Sequence, residues 1–454
     1  MNVYFIGIGG IGMSAIARYY KRKGNEVSGY DRTPSPLTAE LEAEGIAVHY
    51  RPDCAQIPAD KGNTLVIWTP AIPQDMEELV YVRENGYRLI KRSRALGEIC
   101  IGQRCLAVAG THGKTTTTTL TAHIMNESGP GASAFLGGIS KNYGTNLLVS
   151  PEKNIVVEAD EFDRSFLQLN PTVAVITAMD ADHLDIYGDL EHVQEAYRQF
   201  ASQVEGTLIL KYGLPITQEE IRAHIYSYHL DNPEADFHGE NLVAEADGHY
   251  RFDLVYPGGV IENIRAGIPG WIGVENSIAA SAVCLCEGVP HEGIRRSVGS
   301  FTGVRRRLDE RFSAPGLNYI DDYAHHPAEL AAAISSLRSV FPGRKLTGIF
   351  QPHLYTRTRD FAPEFAAALS TLDSLILLDI YPAREEPIPG VTSELILKDV
   401  TCPEKILIRK EDLLEYLKDK PLDVLATFGA GDIDRLVEPI ANMLAERTDT
   451  SATE

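Results

Sequence analysis

The chain has 454 residues, 44% of them hydrophobic and 23% charged, with a formal net charge of −21. By the usual size of a domain that is about three globular cores, with enough apolar material to fill them. No basic cluster offsets the charge, which argues against duplex nucleic acid or an anionic membrane as the main partner. The six cysteines form no CxxC pair and no zinc-spaced His/Cys cluster, and Cys284 with Cys286 reads as reduced packing on a helix. The glycine-broken N-terminus lacks the order of a signal peptide, and no apolar run reaches the roughly 18 residues that span a bilayer. A soluble, cytoplasmic protein is the expectation.

Residues 1 to 93 alternate short apolar strands (Val3–Ile8, Val27–Asp31, Thr64–Thr69) with helical stretches, the first over Met13–Arg22. Such alternation predicts a parallel sheet with crossover helices. A second α/β unit opens with the strand Cys105–Ala109 and a helix from Thr115, followed by strands Asn154–Glu158 and Val173–Thr177. Between about 231 and 268 the pattern changes to an antiparallel hairpin, Tyr250–Tyr256 and Val260–Ile264 around Pro257-Gly258-Gly259. A helix over 276–287 precedes GVRRRLDER, which reads as an exposed basic connection. A third α/β unit has strands Leu317–Ile320, Leu346–Phe350, Leu375–Leu378 and Val424–Thr427, and a helix after His326 whose buried face is Leu330, Ile334, Leu337 and Phe341. The last residues, ERTDTSATE, read as a frayed end.

Chemistry concentrates at strand ends, where open α/β sheets collect ligands. Gly110-Thr-His-Gly-Lys-Thr-Thr-Thr-Thr-Thr119, between a strand and a helix, predicts a phosphate cradle of backbone N–H groups at a helix N-terminus. Lys114 would neutralise outer phosphates and Thr115 would offer a hydroxyl to Mg²⁺. Val108 stands where the general P-loop has a further glycine, so this is a shorter variant. Gly7-Ile-Gly-Gly-Ile-Gly12, with Asp31 closing the next strand, satisfies a dinucleotide fingerprint. It suits any nucleotide diphosphate, and tight helix–sheet packing alone could also require the glycines. Glu158-Ala-Asp-Glu161 and Asp182-His183 are candidate metal ligands beside the phosphates. In the third unit, Asp321-Asp-Tyr-Ala-His-His326 and Phe350-Gln-Pro-His-Leu-Tyr-Thr-Arg-Thr-Arg359 could receive phosphate or a free carboxylate. A nicotinamide oxidoreductase would explain the first fingerprint but leave the second loop idle. A nucleotide-hydrolysing switch would leave the His and Arg residues of the third unit without work.

In chain order, GIGGIGMS, GTHGKTTTT, EADE, DADH, PGxxxxEN, DDYAHHPAE, FQPHLYTRTRD and GAGDI resemble the Mur ligase family over nearly the whole length. The resemblance implies an α/β fold of three domains. Residues 1–93 would form a Rossmann-like domain holding a UDP-sugar. Residues 94–304 would form a P-loop ATPase-type parallel sheet with a small antiparallel appendage, binding ATP. Residues 305–454 would form a Rossmann-like domain closing over ATP and an amino acid. It also implies an ATP- and Mg²⁺-dependent ligase, with a pair of metal ions and an acyl-phosphate intermediate. In the alanine-adding branch, L-alanine is joined to the lactyl carboxylate of UDP-N-acetylmuramate for peptidoglycan synthesis; a recycling branch attaches a murein peptide instead.

Carried across, Gly7, Gly9, Gly10, Gly12 and Asp31 would take the UDP-sugar. Gly110, Thr111, His112, Gly113, Lys114, Thr115, Thr116, Asn276 and Asp322 would take ATP. Thr115, Glu158 and His183 would hold metal. His353, Arg357 and Arg359 would face the amino acid, and Lys114, His183, His325, His353 and Arg357 would serve catalysis. Sibling ligases hold metal with a carbamylated lysine, whereas this chain has no lysine between Lys153 and Lys211. An arginine common after the FQPH histidine is here Leu354.

Overall fold

Runs such as Val3–Ile6 and Leu65–Trp68 are buried along their whole length, the mark of strands covered on both faces. They assemble into three sheets. The computed structural model describes residues 1–383 and 385–451. The described chain divides into two units, one of residues 1–242, 251–267 and 274–302, the other of residues 243–250, 268–273 and 303 onward.

The first unit carries two sheets. One runs, edge to edge, Ala47–His49, Glu26–Tyr30, Asn2–Ile6, Thr64–Trp68 and Arg88–Lys91, all parallel. Strand order reverses on either side of Asn2–Ile6, so the crevice beyond its carboxyl end is a switch point. The loop Gly7–Gly10 leaves there and enters the helix Ile11–Arg22. The larger sheet centres on Arg104–Ala109, flanked by Asn154–Glu158 and Val173–Ile176. Val108 pairs with Glu158 and Ala109 with Ile176, so three strand ends reach one level. At its far edge Tyr250–Tyr256 and Gly259–Arg265 form the expected antiparallel hairpin.

The helix expected from Asn276 begins at Trp271 and ends at Cys286. Gly273 lies in its first turn, where a Cβ would come 2.3 Å from the Ile268 carbonyl oxygen. The glycine serves close packing rather than a break.

The second unit holds a mixed sheet. Asp309–Ala314 is antiparallel to Leu317–Asp322, and Val424–Phe428, Leu346–Phe350, Ser374–Leu377 and Glu404–Leu407 follow in parallel. Helix Pro327–Val340 buries Leu330, Ile334 and Leu337 against it, with Phe341 partly covered. GVRRRLDER is not an exposed connection. Arg306 donates to Asp321 at 2.9 Å and to the Gly429 carbonyl at 2.7 Å, and Asp309 is buried. Its charge pattern suggested solvent, but carboxylates at the sheet end draw the arginine inward. The last helix continues to Ser451, so the tail is helical further than a frayed end would be; residues 452–454 lie outside the described residues. Among the described residues no helix is long and apolar enough to cross a membrane. All six cysteines are free thiols.

A buried polar joint ties the two sheets of the first unit together. Asn146, fully buried, donates to the Ile11 carbonyl at 2.7 Å and to Ser14 Oγ at 2.9 Å, and accepts from Arg18 at 2.5 Å. Arg18 also holds Glu40 and Glu44 at 2.9 and 2.8 Å. Removing one partner strands the others without water. Asn146→Ala should therefore cost roughly 2–4 kcal/mol of stability. Denaturant unfolding checks this, and a loss within experimental error would show that water satisfies the joint.

Candidate active site

The loop after Arg104–Ala109 is held tightly from the neighbouring strand end. Gly110 has φ +132°, and a Cβ on it would lie 2.1 Å from Thr177 Oγ1, so no other residue fits. Thr177 donates to the carbonyls of Ala109 and His112, and Thr111 N–H donates to Ala178 O at 3.2 Å. His112 pairs with Asp180 at 3.1 Å. Gly113 then caps helix Lys114–Glu127 in the left-handed region, leaving the first N–H groups of the helix facing the strand ends. Thr116 is buried in that first turn.

Lys114 folds back over this loop. Its Nζ donates to Gly110 O at 2.6 Å and to both oxygens of Glu161 at 2.8 and 2.7 Å. Burial alone would lower its pKa, but Glu161, Asp160 and Glu158 together raise it well above the usual lysine range. Burial in turn raises Glu161, with Asp160 adding to the shift and Lys114 opposing it. The result is one ammonium facing more negative charge than it neutralises.

Glu158 Oε1 accepts from the Thr115 hydroxyl at 3.2 Å. Glu161, Asp182 and His183 bring donor atoms within 4.8 Å of one another. His183 has φ +52°, and Asp163 and Arg164 lie in the same strained region at +54° and +53°. Carboxylates, a hydroxyl and one imidazole are donors that Mg²⁺ accepts, so the residues present fit such an ion. Both strand-end segments were expected to supply metal ligands; Asp182 adjoins His183 in the chain, and Glu161 joins them because two strands end together. Gly137, also missed, lies against Glu158, with a Cβ position 2.1 Å from Oε2. Asn276 packs on the same turn, 3.2 Å from Thr117 Oγ1, and a Cβ on Gly113 would lie 3.0 Å from its Oδ1.

In the glycine loop of the first sheet, Asp31 Oδ2 accepts from Gly9 N–H at 2.8 Å and Oδ1 from Thr33 N–H at 3.1 Å. The acid thus shapes the loop from within. Gly7 and Ile8 N–H groups donate to Tyr30 O at 2.8 and 3.0 Å. Gly10 is the helix N-cap, and Gly12 follows in the first turn.

The second unit gathers its own group. Asp322 accepts from Leu308 and Ala324 N–H groups, both at 2.7 Å. Burial pushes its carboxyl up to about 6, although Arg307 and these N–H groups pull the other way. Of the paired histidines, His326 is buried at the start of helix Pro327–Val340 and meets the Phe361 ring edge. His325 lies edge-on to His353 at 5.9 Å between ring centroids. Tyr381, which no motif contains, stacks on His353 at 5.9 Å and 24°. Arg357 is buried, whereas Arg359 is half exposed and paired with Asp360 at 2.7 Å. Leu354 precedes their helix at φ +72°, and Glu385 accepts from Thr356 N–H at 3.0 Å. Gln351 joins FQPH to GAGDI, donating to Asp432 at 2.8 Å and accepting from Ile433 N–H at 2.9 Å.

Fold and site define an α/β protein with two glycine loops at sheet switch points, one of them carrying a lysine over metal-type donors. Three regions match family models, described as Mur ligase family, catalytic domain (residues 2–104), Mur ligase middle domain (108–284) and Mur ligase, glutamate ligase domain (306–431). A UDP-N-acetylmuramate–L-alanine ligase of Porphyromonas gingivalis is 50% identical over 98% of this chain and 99% of its own length. One of Parabacteroides distasonis is 49% identical over 98% and 97%. The crystal structure of a UDP-N-acetylmuramate–alanine ligase from Thermotoga maritima superposes with a TM-score of 0.82 at 26% identity, covering 99% of this chain and 100% of that one. The chain belongs to the Mur ligase family.

The raised Asp322 has a stability consequence. A carboxyl that keeps its proton to higher pH in the folded chain than in the unfolded one favours folding most below about pH 4. That contribution is lost as pH rises through about 6. Asp322→Asn should remove the decline, so the variant's melting temperature relative to wild type should climb from pH 4 to 7. A difference independent of pH would mean that Asp322 titrates normally.

Proposed function

We propose that this chain joins L-alanine to the lactyl carboxylate of UDP-N-acetylmuramate at the expense of ATP, giving UDP-N-acetylmuramoyl-L-alanine, ADP and phosphate for peptidoglycan synthesis in the cytoplasm. The observation that carries the reading is Lys114, held over Gly110 and Glu161 where three parallel strands end beside Glu158, Asp182 and His183. The near-complete overlap with alanine-adding relatives supports the choice of amino acid.

Residues 1–93 are assigned to the sugar nucleotide, through Gly7, Gly9, Gly10 and Gly12 with Asp31 shaping the loop. Residues 94–304 take ATP on the segment Gly110 to Thr116, with Asn276 at the adenine. Residues 305–454 close over the nucleotide and amino acid with Asp322, His325, His353, Arg357 and Arg359. The lactyl carboxylate attacks the γ-phosphorus of ATP, the bond to the β-phosphate oxygen breaks, and ADP leaves. A carboxylate is a poor acyl donor; the acyl phosphate supplies a good leaving group. The free amine of alanine then attacks the acyl carbon, loses a proton and expels phosphate. Lys114 exchanges Glu161 for the outer phosphates and neutralises charge as the γ-phosphoryl moves. Mg²⁺ held by Thr115, Glu158 and His183 would neutralise phosphate oxygens. Domain closure excludes the water that would hydrolyse the intermediate.

Phosphate release from ATP, Mg²⁺ and UDP-N-acetylmuramate, with L-alanine present or withheld, tests the reading. Release that requires both sugar nucleotide and alanine is expected; release without the sugar nucleotide would overturn it. Lys114→Ala should lower turnover at least about 10²-fold while leaving binding of UDP-N-acetylmuramate intact. Near-normal turnover would remove Lys114 from the phosphates. Glu158→Gln should move the Mg²⁺ dependence to higher concentration, and an unchanged curve would remove Glu158 from the metal.

A further inference from the structure

Arg92 belongs to no motif, yet it touches both glycine-loop machinery and the turn around Lys114. It opens helix Arg92–Cys100, directly after the edge strand Arg88–Lys91. A Cβ on Gly12 would lie 2.9 Å from Arg92 Nη1, so the guanidinium rests against the loop assigned to the sugar nucleotide. Its Nη2 donates to Asp160 Oδ2 at 3.0 Å, within the turn Glu158–Glu161. Lys91 repeats the pattern with Asp163 at 2.7 Å. Arg92, Ser93, Glu158, Asp160 and Ser165 share the walls of one cleft. The Arg92 side chain is 19% exposed, open enough for a ligand yet partly withdrawn from water.

We propose that Arg92 is a binding residue for the sugar nucleotide, exchanging Asp160 for an anionic oxygen of that ligand, on the diphosphate or on the lactyl carboxylate. This rests on the function proposed above. The substrate carries both anions, and its carboxylate must approach Glu158, Asp160 and Glu161 in a chain of net charge −21. Lys114 is engaged by ATP, so the approach needs a cation of its own. Arg92 stands on that route, between Gly12 and Asp160, and a guanidinium fork matches phosphate and carboxylate alike. Asp160 holds the fork in place and gives way to the incoming anion.

The test is calorimetric titration of the full chain with UDP-N-acetylmuramate and with UDP-N-acetylglucosamine, which shares the diphosphate but lacks the lactyl carboxylate. Arg92→Ala should weaken UDP-N-acetylmuramate binding at least about tenfold with ATP binding unchanged. Arg92→Lys should recover part of the loss, and Asp160→Asn should tighten binding by freeing the guanidinium. A loss shared by both nucleotides places Arg92 at the diphosphate, and a loss confined to UDP-N-acetylmuramate places it at the carboxylate. Unchanged affinity for both in folded Arg92→Ala would overturn the proposal. Should that variant not fold, unchanged affinity in Arg92→Lys together with Asp160→Asn would overturn it equally. Wild-type chain that binds ATP but neither sugar nucleotide would overturn the proposed function itself, and this assignment with it.

Discussion

The ion pair between Lys114 and Glu161 is the interaction on which the central sheet's working edge depends. Taking an ammonium and a carboxylate out of water costs several kcal/mol apiece, and the pair survives only because the surroundings supply further hydrogen bonds. Here the Gly110 carbonyl is the third partner, and Glu158 and Asp160 add field of the same sign as Glu161. The lysine therefore stays charged while the carboxylates remain under mutual strain. Anionic phosphate oxygens relieve that imbalance for Lys114, and hard cations relieve it for the carboxylates. One arrangement thus explains why both kinds of ligand suit the same strand ends.

The two glycine loops solve the same problem with different supports. Each leaves a central parallel strand where the order of the sheet reverses, and each delivers chain to a helix N-terminus. The first is shaped by a carboxylate, Asp31, on Gly9 N–H. The second is shaped by a hydroxyl, Thr177, on the carbonyls of Ala109 and His112, and by the Thr111 N–H on the Ala178 carbonyl. Lysine occurs only in the second, which suits the proposed place of the more highly charged phosphates there.

In the second unit, packing separates residues that look equivalent as letters. His325 and His326 are adjacent, yet His325 meets the His353 ring whereas His326 meets Phe361 at the helix start. Arg357 and Arg359 are two residues apart on a short helix, so they point to different sides, one buried and one toward Asp360 and solvent. Tyr381 and Glu385 brace His353 and Thr356 from a separate segment.

The sequence by itself determined the α/β class, most strand positions, and the loop chemistry of Gly110 to Thr115. These are local matters: apolar runs of strand length, and glycines and hydroxyls at fixed offsets. It also marked Glu158, His183, His325 and His353 as strand-end polar groups. Tertiary structure decided the rest. The partnership of Glu161 with Lys114, the inward turn of Arg306, Gly273 inside a helix, and Arg92 between Gly12 and Asp160 all depend on segments far apart in the chain. No spacing rule carries that information, because the energy of a buried charge is set by whichever charges the fold brings within a few ångström of it.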